Sequence, residues 1–310
     1  MFRYAAIRLG QGLFLVVAIT FAVFFILRLT AGDPARIAAP IAARPDAIDI
    51  YKKQFGTDKP LYVQLTTFVS GISHGDFGTS FRYLQPVSGL IRERFPATIE
   101  LALLALLLSV ALSVSLGVLS ARRPGSAVDW ISGTLAMFGQ SAPSFWVGLL
   151  LVAFIAVRLG ILPAGGNEGP QSLVLPTITV AIGLLPTELR VLRASMREVL
   201  SQDYIRAARA FGLPEWRINF VYALRNAVLP MMTLVGLDMG YLLGGVIVAE
   251  SVFNYNGIGQ LALLALNSRD YPLIQGITVL TSSAFIGLNI VTDLLYSVVD
   301  PRVRVAQSAA

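Results

Sequence analysis

Apolar runs of bilayer length dominate the pattern of this chain. They cover about Leu9–Leu29, Ile99–Leu119, Trp130–Val157, Leu173–Leu192, Ala227–Ala249 and Leu273–Val299. About 20 apolar residues carry a helix across a hydrocarbon core of about 30 Å. Lipid offers no partner to backbone N–H and C=O groups, so each run is expected to be helical. The third run is longer than a perpendicular helix needs and contains Pro143, where a kink is expected. The fourth meets Pro186, Glu188 and Arg190, which read as its closing end. The first run follows Arg3 and Arg8 and exceeds the apolar core of a secretory signal. No small-x-small cleavage site follows it, so it reads as an uncleaved first span.

Polar positions orient these spans. One set of short connections carries Arg3, Arg8, Arg122, Arg123, Arg193, Arg197, Arg206, Arg209, Arg217, Arg225, Arg302 and Arg304, whereas the other carries Arg158 and Arg269. The positive-inside bias therefore predicts cytoplasmic termini. Residues 31–96 are long enough to cross whatever their charge and are expected outside. Their turn signals (Asp33-Pro34, Gly71, Gly75, Gly78) alternate with amphipathic stretches such as Leu61–Phe68, and Phe77, Phe81, Tyr83 and Leu84 supply the apolar side chains of a small core. The expected organisation is a first helix over 1–30, an outer segment over 31–96, a five-helix core over 97–299 and a cytoplasmic tail over 300–310.

Composition narrows the chemistry. Hydrophobic residues make up 55% and charged residues 14%, far from the quarter usual in soluble domains. The net charge of +6 then follows from topology and needs no nucleic-acid partner. Without cysteine there is neither a disulfide framework nor a thiolate site, and His74 alone cannot build a histidine metal centre. No Ser–His pair and no paired intramembrane carboxylates at useful spacing point to an embedded enzyme. No phosphate-binding Gly-rich loop ending in Gly-Lys-Ser/Thr occurs, so the chain has no ATP site of that type.

Polar residues inside the spans are candidate pathway groups, because burying them in lipid is costly. Asp238 lies mid-span and fits either an aqueous path or a helix–helix hydrogen bond. Asn289 lies in the last span. Ser141 and Pro143 mark a kink that could line a path or serve packing. Gly240, Gly244 and Gly245 give the fifth span a small-residue face for close helix packing.

The connection over 195–230, between the fourth and fifth spans, is the most informative stretch. It reads as two short helices broken at Gly212-Leu213-Pro214, with Gly212 suited to a left-handed helix end and Pro214 to the first turn of the next helix. Arg206, Ala207, Ala208 and Ala210 form a surface that another protein could approach closely, and the arginines could pair with its carboxylates. On charge alone, a loop touching lipid headgroups fits equally well.

Arg206-Ala207-Ala208, then Gly212 three residues on, then Leu229-Pro230, resemble the docking loop of binding-protein-dependent ABC importers, the EAA-loop family. Arginine stands where the general pattern has glutamate, and Leu-Pro lies further downstream. Both departures are typical of the peptide-transporter branch, which Asp203-Tyr204-Ile205-Arg206-Ala207-Ala208-Arg209-Ala210-Phe211-Gly212-Leu213 matches over eleven residues. Gly75–Ser80, Phe95–Leu101, Ser141–Trp146, Tyr241–Gly245, Glu250–Phe253 and Asp300-Pro301-Arg302 are similar to the B-type permease subunit of dipeptide and oligopeptide systems. Asn256 departs from the proline frequent in that branch.

The resemblance implies an all-α, six-helix permease of the type I ABC-importer fold, multi-pass in a bacterial cytoplasmic membrane. It implies a non-catalytic subunit forming half of a pathway for short peptides. Its implied partners are a second homologous permease subunit, two cytoplasmic ATP-binding subunits that hold ATP and Mg, an extracytoplasmic substrate-binding protein and membrane lipid. Asp203, Tyr204, Arg206, Ala207, Ala208, Arg209, Gly212, Leu213 and Pro214 would couple to the ATPase. Glutathione or nickel complexes are alternative cargoes within the branch, and an ATPase-independent channel or secondary transporter is the alternative outside it.

Overall fold

The computed structural model describes residues 2–29, 35, 45–243 and 246–299. Gly244, Gly245, the tail 300–310 and part of the outer segment lie outside the described residues. The fold is helical, and the described residues form no strand, only an isolated bridge between Thr79 and Pro86. In chain order the helices are α1 (Phe2–Leu29), α2 (Pro45–Phe55), α3 (Leu61–Ser73), α4 (Val87–Arg122), α5 (Ala127–Ser141), α6 (Ser144–Leu151, continued by a π-helical turn Val152–Arg158) and α7 (Val174–Leu200). There follow α8 (Asp203–Ala210), α9 (Glu215–Arg217, continued by a π-helical turn Ile218–Ala223), α10 (Leu224–Ala227), α11 (Leu229–Leu243), α12 (Ile247–Val252), α13 (Ile258–Asn267) and α14 (Tyr271–Val299).

Among the described residues four helices are each long and apolar enough to cross a membrane: α1, α4, α7 and α14. Two bent pairs bring the number to six if each is one span: α5 with α6 at 108°, and the helix from Glu215 with α11 at 59°. The expected kink at Pro143 is thus a full break between two helices. Proline disfavours helical backbone in the residue before it, and Ala142 is extended at φ −83°, ψ 125°. Pro143 itself stands just ahead of α6.

Glu188 and Arg190 do not end the fourth span's helix, because α7 continues to Leu200. Glu188 is fully buried, and its Oε2 accepts from Ser109 Oγ at 2.5 Å and Ser113 Oγ at 3.1 Å, both on α4. Two hydroxyls one turn apart make an internal carboxyl tolerable in a long helix.

The chain divides into two compact units. The first comprises 1–98, 243–247 and 256–290. Its core joins Val87, Leu90 and Ile91 of α4 to Ile258 and Leu261 of α13 and to Leu273 and Ile277 of α14. Phe77 and Tyr83 pack against that core, and Phe81 stacks on Phe55 at 3.9 Å, so these aromatics serve the segment's own packing. Asp270 is fully buried; it accepts from Ser80 Oγ at 2.5 Å and from the backbone N–H groups of Arg82 at 3.1 Å and Leu273 at 3.3 Å. A carboxylate holding the open N–H groups at the start of α14 also ties down the 80–82 turn.

The second unit comprises 99–242, 248–255 and 291–310. Within it, α5 lies close to α7: a Cβ on Gly139 would sit 2.7 Å from the Ile182 carbonyl oxygen and 2.8 Å from Pro186 Cγ. Ser126 caps α5, and Asp129 in its first turn forms ion pairs with Arg193 and Arg197 of α7, the latter at 3.1 Å.

Candidate coupling surface

Local sequence closes the helix α8. Gly212 has φ +76°, a backbone conformation that costs a side-chain-bearing residue about 1–2 kcal/mol. With Gly212 so placed, its N–H donates to the Arg209 carbonyl at 2.9 Å and the Leu213 N–H reaches back to the Ala208 carbonyl at 3.2 Å. This pair of bonds satisfies carbonyls that a helix end otherwise leaves open. Leu213 packs on the same core as Ala208. Pro214 stands at the cap position, one residue before the first turn of α9 rather than within it.

One face of the loop is anchored. Ile205 and Ala208 of α8, then Ile218, Ala223, Ala227 and Met231, join Val118 and Ala121 of α4 and Leu192 and Met196 of α7 in one buried cluster. Ile205 and Ala208 are three residues apart, the spacing that aligns side chains on one helical face. Ala208 therefore leaves the expected docking face and serves the support beneath it, as does half-buried Leu213.

The opposite face is open. Asp203, Tyr204, Arg206, Ala207, Arg209, Ala210, Gly212 and Pro214 are all exposed. Phe211 is 87% exposed and Trp216 61%, one on each side of the break. Sequence reasoning passed over these two aromatics, although an aromatic residue on either side of a Gly-Leu-Pro turn in a polar loop was legible. Buried Ile205 and Ala208 below and exposed Phe211 and Trp216 above make an anchored ridge with two open aromatics.

Charges on the ridge pair mostly with each other. Arg206 contacts Asp203 at 3.1 Å, one turn away. Arg209 Nε donates to Glu215 Oε1 at 2.9 Å, bridging the break, and the Asn219 amide donates to the Glu215 carbonyl and to Oε2. Asn226 donates to the Tyr204 hydroxyl at 3.0 Å, linking α8 to α10. Arg206 and Arg209 thus brace the loop, a role beside the two that the sequence suggested, partner carboxylates and lipid headgroups.

The other candidate residues fall into separate settings. Ser141 and Pro143 are exposed at the α5–α6 break. Asp238 is half-buried and faces Glu188, so its neighbour is another helix's carboxyl group. Asn289 belongs to the first unit and donates to the Phe285 carbonyl of its own helix at 2.9 Å. Gly240 is buried. The close approach lies one turn earlier, at Gly236, where a Cβ would collide with the Thr292 side chain. Among the described residues no group of three or more His, Cys, Asp or Glu could hold a metal ion.

Comparisons with known proteins follow the same geometry. Residues 113–305 match the family model described as binding-protein-dependent transport system inner membrane component, and residues 1–102 match its N-terminal companion. The chain is 39% identical over 322 residues to "Probable D,D-dipeptide transport system permease protein DdpB" of Escherichia coli, covering 94% of this chain and 95% of that protein. It is 39% identical over 290 residues to "Probable peptide ABC transporter permease protein y4tP" of Sinorhizobium fredii, covering 91% and 93%. The glutathione transport system permease protein GsiC of Salmonella typhimurium is equally similar, at 39% over 290 residues and 94% of each chain. In fold, an inward-facing structure of the MetNI methionine ABC transporter superposes with a TM-score of 0.56 at 18% identity, covering 68% of this chain and 96% of that one.

Proposed function

The chain belongs to the family of binding-protein-dependent transport system inner membrane components, and from that premise we propose that it imports short peptides, driven by ATPase subunits that dock on the 195–230 loop. The single observation that carries the coupling is the anchored ridge: buried Ile205 and Ala208 hold exposed Ala207, Ala210, Phe211 and Trp216 outward. The peptide cargo draws support from the peptide and dipeptide relatives, each matched over more than nine-tenths of this chain. Glutathione, itself a tripeptide, is the second reading, favoured by the relative of that name.

In this reading the termini are cytoplasmic and the segment over 31–96 faces outward, where a substrate-binding protein delivers cargo. A second, homologous permease completes the pathway. ATP and Mg reside in two cytoplasmic subunits, this chain being non-catalytic, and closure of those subunits draws the two coupling ridges together. Because α8 and α9 share a core with α4 and α7, a displacement of the ridge carries those helices with it. Ser141 and Pro143 at the α5–α6 break, Asp238 and Asn289 are the proposed pathway residues.

Uptake into proteoliposomes tests this. The chain with its co-expressed partner permease, ATPase subunits and binding protein is expected to accumulate labelled dipeptide only with ATP and Mg. Equal uptake by the chain without ATPase subunits would contradict the proposal and favour a channel or secondary transporter.

A further inference from the structure

The first unit contains a feature that coupling does not use: an open cavity of about 440 Å³ lined by the end of α1, by α2 and α3, by the 76–84 turn and by the start of α14. Among the described residues three cations line it, Arg28, Lys53 and Lys59, against one acid, Asp76. Asp76 Oδ1 is already engaged, accepting from the Gly78 N–H at 2.8 Å.

Neutral groups hold Arg28 in place. Its Nε donates to Gln64 Oε1 at 3.0 Å, its NH1 to the Phe24 carbonyl at 3.1 Å, and its guanidinium lies 3.4 Å from the centre of the Phe24 ring. Gln64 is oriented in turn by donating to the Lys59 carbonyl at 2.8 Å. No carboxylate pairs with Arg28 among the described residues. The cavity thus presents a half-buried guanidinium held by neutral partners, and such a group attracts a bidentate anion.

We propose that this cavity binds the carboxylate or phosphate of an anionic ligand, with Arg28 as its principal contact and Lys53 and Lys59 as screening charges at the rim. Two sources carry this chemistry. One is the C-terminal carboxylate of a short peptide, an assignment that rests on the proposed cargo. The other is the phosphodiester of an anionic lipid headgroup. The anion site itself stands on the cavity alone.

Saturation-transfer NMR on the full chain in phosphatidylcholine nanodiscs tests it, with propionate, Ala-Ala, Ala-Ala amide and short-chain phosphatidylglycerol as probes. Propionate and Ala-Ala are expected to give at least threefold stronger transfer than the amide. That transfer should fall at least threefold in Arg28→Gln and in the rim variant Lys53→Gln/Lys59→Gln, whose exposed side chains leave folding intact. Transfer from propionate but not Ala-Ala supports the anion site and removes the peptide as its source, leaving the ATP-driven uptake assay to judge the cargo separately. Displacement of propionate by phosphatidylglycerol, where Ala-Ala displaces none, assigns the site to lipid. Equal transfer from Ala-Ala and its amide together with none from propionate or phosphatidylglycerol, or no change in the rim variant, overturns the proposal.

Discussion

At the residue scale, two buried contacts define what the second unit tolerates. A Cβ at Gly139 would meet the Ile182 carbonyl, a backbone atom that cannot rotate away. Gly139→Ala is expected to destabilise the chain by about 1–3 kcal/mol, the usual cost of overpacking. A lowered thermal-unfolding midpoint in detergent checks this, with Gly183→Ala, where a Cβ has open space, as the neutral comparison. Glu188→Leu removes the acceptor of Ser109 and Ser113. Serines within helices can turn to their own carbonyls, so the expected loss is only about 0.6–1.7 kcal/mol. Glu188→Gln, which keeps an acceptor, should stay closer to wild type in the same assay.

These residues also mark where the sequence was readable. Gly212 was legible because its requirement is local: a helix end needs a residue at home in left-handed backbone, and the glycine, the leucine after it and the proline beyond are adjacent in the chain. The partners of Glu188 were not legible because its compensation is not local. Ser109 and Ser113 lie 79 and 75 positions away, and nothing near Glu188 records them. Ala208 failed for a third reason. An eight-residue helix with three alanines has too weak an apolar stripe to say which alanine turns inward, and only packing against α4 and α7 decides it. Gly236 escaped because its Thr292 partner comes from a distant helix.

At the element scale, the shape of the loop follows from its turn and its core. The Arg209–Glu215 pair is roughly half exposed on both sides, so it contributes at most about 1 kcal/mol. Arg209→Ala is expected to change ATP-driven uptake by less than about fivefold. A Cβ at Gly212 would meet no atom, but Gly212→Val forces a β-branched residue into left-handed backbone. That substitution should tilt α9 against α8 and lower uptake at least tenfold while the chain remains in the membrane. Phe211→Ala leaves the turn intact and removes an exposed aromatic anchor. Its expected signature is weaker retention of the ATPase subunits during purification, by about 10-fold or more, as for a hot-spot aromatic.

The whole molecule was legible as far as its spans and its family. Apolar run length predicted six crossings, and the helices supply four plus two bent pairs. The bends were less readable: proline announced a break at Ala142-Pro143 without its angle, which is set by packing between helices. The central claim remains that the 195–230 loop is the seat of an ATPase. Site-directed cross-linking tests it most directly, because the chain has no native cysteine and every introduced thiol is unique. In the assembled transporter, cysteine at exposed Phe211 or Ala207 is expected to cross-link to an ATPase subunit, and cysteine at buried Ala208 is not. Equal cross-linking at all three positions, or none at Phe211 and Ala207 in a transporter that still hydrolyses ATP and imports peptide, would contradict the account.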